Sequence, residues 1–298
     1  MTTYTQISSN KRRSIFLIAI FIIIIVGLAY VFSRAYEAGP GYVILAIIFS
    51  VLMTLVGYFS GDKVALWTVG AVPVSKADNP YLVRMVENLC ITAGLPMPKI
   101  YVMPETMINA FATGRDPKHA SIAVTQGAID NLENEELEGV LAHEMSHVGN
   151  YDIRFMTLVA VLVGIISLLA SWFIRINFFG GRRSSNDRSG NIGAIFFIIG
   201  IILSILAPIA ATLIQLAVSR KREFLADASG VQLTRFPEGL ARALEKIARQ
   251  DARIKHASNA TAHLFIANPF GAVTAKGLGR LFSTHPPIEE RIRVLRSM

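Results

Sequence analysis

The 298-residue chain is short of two things: it has a single cysteine, and only 17% of its residues are charged. Cys90 alone excludes an internal disulfide, which suits a soluble part in a reducing compartment. Internal repeats and low-complexity tracts are also missing. The shortage of charge is concentrated in four stretches, 14–32, 42–60, 156–174 and 193–218, which contain no Asp, Glu, Lys or Arg. Crossing about 30 Å of hydrocarbon takes roughly 20 apolar residues. One such stretch could be a buried core helix. Four of them, in a chain that is 52% hydrophobic, point to membrane spans and a lipid bilayer as partner.

Lys11-Arg12-Arg13 precedes the first stretch as in a secretory signal. No Ala-x-Ala site follows, so an uncleaved anchor is expected. The net charge of +8 is spread as +3 over 1–60, −5 over 61–155, +3 over 156–218 and +7 over 219–298. The basic C-terminal part does not indicate nucleic acid, because Arg220-Lys221-Arg222 abuts a span and the other cations alternate with acids and apolar residues. Near the span ends, Lys11, Arg12, Arg13, Lys63, Arg154, Arg220, Lys221 and Arg222 fall on one side and Arg34, Arg175, Arg182, Arg183 and Arg188 on the other. That balance places the N-terminus and both soluble segments in the cytoplasm. The loop "RINFFGGRRSSNDRSGN" runs against it. Either the first span overrides the loop, or the 156–218 hairpin does not fully cross.

Segment 61–155 is expected to be mixed α/β. "NPYLVRMVENLCITAGLP" has Leu82, Met85, Val86 and Leu89 at helical spacing before Gly94 and Pro96. "KIYVMP", "INAFATG" and "SIAVTQGAI" are predicted strands. "NLENEELEGVLAHEMSHVGN" is a predicted helix, with Asn134 as its N-cap and Gly149-Asn150 as its stop. Helices are expected at 219–235, 237–253 and 286–297.

The chemistry lies in His143-Glu144-Met145-Ser146-His147, an H-E-x-x-H sequence. On a helix, i and i+4 share a face, so both imidazoles can reach one zinc ion. Glu144 then stands beside the metal as a general base. Chance gives on the order of 0.005 such matches in a chain of this composition, which disfavours two idle surface histidines. Apolar Leu137, Val140, Leu141 and Met145 leave the histidines on a polar strip.

A catalytic zinc needs a third protein ligand and an open position. H-E-x-x-H-x-x-G-x-x-H is excluded, because Asn150 and Ile153 occupy its Gly and last His positions, and Asp152 follows too closely to fold back easily. Glu223 and Asp227 lie i,i+4 in "SRKREFLADASG", where an out-and-back apolar hairpin returns the chain to the side of His147. Glu223 is the expected ligand, and Asp227 the expected hydrogen-bond partner of a ligand histidine. An ordinary acidic pair on a solvated helix is the alternative.

H-E-x-x-H followed by S-R-x-x-E-F-x-A-D and a late T-H-P-P resembles the HtpX family of bacterial membrane zinc metalloproteases, which are heat-shock-associated and related to the CAAX prenyl proteases. The resemblance covers nearly the whole chain, including "NAFATG", "VLAHEMSH" and "STHPPIEERI". It implies zinc ligands at His143, His147 and Glu223, the base at Glu144, Asp227 behind a ligand, and His285 as a donor to the oxyanion or substrate carbonyl. Otherwise His285 caps a helix before Pro286-Pro287. Arg291 either orients His285 or the substrate's carboxyl end, or forms a structural salt bridge. Asn109 begins an exposed edge strand to which an extended peptide could add, or is a turn residue.

The expected fold class is α+β: a polytopic α-helical membrane protein with a zincin-like (gluzincin) domain, mostly helical with a small edge-exposed sheet. Residues 1–60 form a transmembrane hairpin, 61–155 and 219–298 the two parts of a zinc peptidase domain, and 156–218 the inserted hairpin. The expected function is a one-zinc endopeptidase of the bacterial inner membrane, facing the cytoplasm and cleaving unfolded, misfolded or damaged membrane proteins. A peptidase dedicated to one membrane or lipidated substrate is the alternative enzyme. A zinc-stabilised scaffold would want four closed ligands, and a transporter would want ionisable residues within its spans.

Overall fold

The structure is a computed structural model describing residues 3–35, 40–180, 220–250, 254, 257–258, 260–269 and 286–298. The expected 193–218 span, most of the arginine-rich loop and His285 lie outside the described residues. In chain order the helices and strands are α1 (Thr3–Ala35), α2 (Gly41–Thr68), β1 (Val72–Pro73), α3 (Pro80–Ala93), β2 (Lys99–Met103), β3 (Ala110–Gly114), β4 (Ala120–Thr125), α4 (Gln126–Asn131) and α5 (Asn134–Gly149). They continue as α6 (Asp152–Gly180), α7 (Arg220–Thr234), α8 (Pro237–Arg249) and α9 (Ile288–Leu295).

Helices α1 and α2 contain the first two apolar stretches but outrun them, α1 taking in Lys11-Arg12-Arg13 and α2 running through Asp62 and Lys63. Lys and Arg are good helix formers, and a helix already nucleated also propagates through a weaker one such as Asp62, so the edge of an uncharged run is not the end of its helix. Among the described residues, Val43–Thr68 alone is long and apolar enough to cross a membrane by itself. Helix α5 and the first part of α6 pass that test only as a pair, and they are bent by 86°.

Helix α2 exposes Ile44, Leu45, Ile48, Leu52, Leu55 and Phe59 on one side. Its other side packs Phe49 and Met53 into a cluster with Leu17, Phe21 and Ile25 of α1 and Leu158 and Leu162 of α6. The backbones of α2 and α6 approach closely at Gly61, where a Cβ would stand 2.8 Å from Thr157 Cγ2. Small residues at helix contacts permit that approach.

The sheet has the order β1-β2-β4-β3, with β2 and β4 parallel and the outer pairs antiparallel. Alternation along β4 sends Ile122 and Val124 to a core shared with α3, α5 and α8, and Ala123 to the opposite side. There Ala123 meets Phe111 of β3, Leu66 at the end of α2, Met156 of α6 and Phe265. The sheet is therefore a middle layer between α3, α5 and α8 on one side and the long apolar helices on the other.

Three local expectations are corrected. Gln126–Ile129 is the start of α4 rather than the end of a strand, because the Thr125 hydroxyl accepts from Ala128 N–H at 3.2 Å and caps a helix. The N-cap of α5 is Glu133, not Asn134: Glu133 N–H donates to the Glu136 carboxylate at 2.8 Å. Strand β3 does stand at the sheet edge, but every residue in it is buried. Ile266 N–H donates to Ala110 O at 2.9 Å, so a distant segment covers part of the edge that was expected to be exposed.

Candidate metal centre

Helix α5 carries His143, Glu144 and His147, and it is buried at Glu136, Leu137 and from Gly139 to Val148. The expected polar strip is thus not solvated. The apolar side faces the sheet-backed core, and α7 covers the histidine side. Gly230 permits this cover, since a Cβ there would stand 3.1 Å from His143 N and 3.3 Å from His143 Cα. One and two turns earlier on α7, Asp227 and Glu223 meet the histidines.

The two imidazole Nε2 atoms lie 3.2 Å apart. Glu223 Oε1 is 3.6 Å from His147 Nε2, and Oε2 is 3.8 Å from His143 Nε2. Nitrogens at about 2.0–2.1 Å from a tetrahedral ion stand about 3.3 Å from each other, so the spacing fits one divalent metal. The far side of each ring fits as well. His143 Nδ1 is 2.8 Å from Asp227 Oδ1, and His147 Nδ1 is 3.1 Å from Asp152 Oδ2. Each Nδ1–H donates to a carboxylate, which leaves both Nε2 lone pairs turned toward each other. Lone pairs so placed are favourable only around a cation or a proton.

The electrostatics agree. Burial disfavours charge on His147, but its hydrogen bond to Asp152 and the carboxylates of Glu223, Asp152 and Glu144 raise its pKa to about 9. The pocket therefore attracts positive charge. Burial holds His143 down at about 4, with Arg291 opposing the pull of Asp227, so this ring is neutral and can offer a lone pair. Burial pushes the Glu144 carboxyl up to about 7, with Glu223 adding to it. His147 and a hydrogen bond from Ala112 N–H of β3 restrain that rise.

Arg291 is fully buried, and its guanidinium forks onto Asp227, with Nε 2.9 Å from Oδ2 and Nη2 2.7 Å from Oδ1. Nη1 donates to Ile266 O at 3.2 Å. Of the alternatives left by the sequence, the structure has the salt bridge. The side chain is buried throughout, which favours a role in the fold over a contact to a substrate. Burial opposes charge on Asp227, but Arg291 and the His143 hydrogen bond hold its carboxyl well below the usual range. Asn109, 1% exposed, is likewise not at a free edge: its Nδ2 donates to Ala267 O at 3.0 Å, anchoring the segment beside β3.

Asp152 is the residue that sequence reasoning passed over. It reaches His147 because Tyr151 adopts φ 59, a left-handed turn that sets α6 at 86° to α5. The Gly149-Asn150 stop was the available signal, since a helix break followed by Asp marks a new N-terminus.

A histidine pair and a glutamate from two crossed helices, with a second glutamate next to a ligand, define a metal-dependent peptidase. Residues 76–298 match the model of peptidase family M48. The protein named "Protease HtpX homolog" from Caldanaerobacter subterraneus subsp. tengcongensis is 47% identical over 298 residues, covering 100% of this chain and 98% of that one. Its namesake from Thermoanaerobacter pseudethanolicus is 44% identical over 298 residues, with the same coverage of both chains. The crystal structure of S. mikatae Ste24p superposes with a TM-score of 0.50 at 21% identity, covering 98% of this chain and 67% of that chain, a likeness of fold. The chain belongs to the HtpX proteases of peptidase family M48 and is a metalloprotease.

Proposed function

We propose that the protein is a zinc-dependent membrane endopeptidase that cleaves misfolded or damaged membrane proteins at the cytoplasmic face of the bacterial inner membrane. The observation carrying this is the buried set His143, His147 and Glu223, whose ligand atoms lie within 4.8 Å of one another, with Glu144 next to it in sequence. A zinc ion held by these three residues supplies a Lewis acid that acidifies water and polarises the scissile carbonyl. Glu144 takes the proton of the attacking water and passes it to the leaving amine. Burial raises this carboxyl in the metal-free site, and a cation beside it draws it back toward the ionised form that accepts the proton. Asp227 and Asp152 hold the ligand rings in one tautomer. His285 donates to the developing oxyanion.

An extended peptide adds along β3 beyond Ala110, whose carbonyl is taken by Ile266, and so passes Ala112, whose N–H reaches Glu144. Backbone pairing of that kind gives broad sequence tolerance, as degradation of damaged proteins requires. In this reading α1 and α2 are the N-terminal hairpin, 156–218 is the inserted one, and 61–155 with 219–298 form the peptidase domain.

The test uses purified full-length protein with zinc and an unfolded casein-like substrate. The parent is expected to cleave, and Glu144→Gln to bind zinc without cleaving. Cleavage by Glu144→Gln at the parent rate removes the mechanism. Glu223→Ala is expected to lose zinc with folding unchanged, and retained zinc points to another third ligand. Trapping with Glu144→Gln in cells then identifies the substrates.

A further inference from the structure

We infer that Asn10, on the N-terminal helix α1, is a positioning residue for His147 that acts through Asp152. The inference rests on the reading of His147 as a metal ligand. Asn10 is 2% exposed, and its Nδ2 donates to Asp152 Oδ1 at 2.7 Å and to Asn150 O at 3.0 Å. The other oxygen of Asp152 takes the His147 Nδ1–H at 3.1 Å. One carboxylate is thus gripped at both ends, by α1 and by the ligand ring. Arg222 Nη1 stands 3.7 Å from the same Oδ1, an ion-pair distance, and the Asn10 amide makes the shorter, direct hydrogen bond to it.

The docking of α1 around Asn10 sets this register. Lys11 Nζ stands 4.7 Å over the Tyr151 ring, at the left-handed corner of the elbow. Two to four turns on, Leu17, Phe21 and Ile25 pack against Phe155, Leu158 and Leu162 of α6. An aliphatic residue at position 10 would seat α1 equally well, and a buried amide costs stability unless its hydrogen bonds are made. Among the described residues, the amide NH2 directs both of its bonds to the elbow. Being neutral, it orients Asp152 without cancelling the negative charge that holds the His147 Nδ1–H. Without it the carboxylate can turn about its last bond, and the ring and its Nε2 loosen. Metal retention is thereby tied to the seating of an N-terminal helix that supplies no ligand.

The test measures zinc affinity of the full-length protein in detergent micelles by competition with a chromogenic chelator, with circular dichroism to verify folding. Asn10→Leu is expected to weaken zinc binding about tenfold. Asn10→Ser, whose hydroxyl is too short to reach Asp152, should do the same without an added apolar group. Asp152→Ala should weaken binding on the order of 10–100-fold, and Asn10→Leu should add nothing in that background. With cobalt bound, Asn10→Leu should shift the visible spectrum in the same sense as Asp152→Ala. Parent-like affinity in both Asn10 variants, or a fully additive loss in the Asp152→Ala background, overturns the inference. His147→Ala separates the two readings. If it binds zinc like the parent, the ligand reading fails; if it loses zinc while the Asn10 variants keep it, only the role of Asn10 fails.

Discussion

Replacing Arg291 by Met tests whether this arginine serves the substrate or the fold. Methionine fills much of the same volume but offers no donor. Asp227, 0% exposed, would lose both guanidinium bonds and, among the described residues, keep the His143 Nδ1–H. Removing one partner of a buried ion pair costs about 3–5 kcal/mol, because the other charge stays buried and uncompensated. The Ile266 carbonyl also loses its Arg291 donor. At about 2–4 °C per kcal/mol for a body of this size, the melting temperature should fall on the order of 10 °C. Thermal unfolding in micelles, followed by circular dichroism, reads this directly. Arg291→Lys keeps the charge but not the fork and should fall between the two. The pair Arg291→Met with Asp227→Leu should recover much of the stability while binding zinc more weakly. Measured well below the transition, KM for a casein-like substrate should change by less than about twofold in Arg291→Met. Parent-like melting with a raised KM would refute the reasoning and return Arg291 to the substrate.

Gly230→Val forces α7 away from His143, where even a Cβ would stand 3.1 Å from the backbone nitrogen. Zinc affinity should drop about tenfold or more although every ligand is intact, and an unchanged chelator titration would contradict that. Burial pushes the Cys90 thiol up to about 11, with Glu87 adding to it. At pH 8 about one molecule in a thousand is thiolate, against about a quarter for a free cysteine, so labelling should be over a hundredfold slower in the folded protein than in denaturant. Comparable rates would place the thiol at the surface. Arg235 is exposed and holds φ 54 after the last turn of α7. Arg235→Gly should stabilise by about 0.5–1 kcal/mol in denaturant titrations, and a loss of stability would mean the side chain makes a contact that outweighs the strain.

What the sequence disclosed and what it hid follow from the range of the interactions. His143 and His147 were legible because helical periodicity alone puts i and i+4 on one face. Glu223 and Asp227 were legible for the same reason, once the apolar hairpin was taken to return the chain to its starting side. Arg291 stayed open because 64 residues separate it from Asp227, and no local pattern states which charge a buried guanidinium will find. Asn109 was placed correctly next to an edge strand, but its partner, Ala267, lies 158 residues away. Asp152 was dismissed for being too near His147 along the chain. It is not in the His143, His147 and Glu223 group, but the left-handed turn at Tyr151 brings it to the far nitrogen of the His147 ring, a place no local pattern states. Asn10 could not be found, because its whole role depends on where α1 docks.

The same contacts explain why the site suits a divalent ion. Helix α5 can set two Nε2 atoms 3.2 Å apart, but it cannot fix the rings. Each ring is fixed by a carboxylate from another helix, Asp227 of α7 or Asp152 of α6, and each carboxylate is held by a donor from a further one, Arg291 of α9 or Asn10 of α1. Four buried carboxylates, Glu144, Asp152, Glu223 and Asp227, face two buried guanidinium groups, Arg222 and Arg291. With Glu144 ionised and both imidazoles deprotonated to serve as ligands, two negative charges remain among these described groups, and a divalent cation neutralises them. An ion that binds the native chain stabilises it by RT ln(1 + [L]/Kd), about 2.7 kcal/mol at a hundred times Kd. Chelator-treated protein should therefore melt below zinc-loaded protein, with the gap widening as free zinc rises. A melting temperature indifferent to zinc would mean that the surplus charge is compensated by protons and that the three ligand side chains hold no metal.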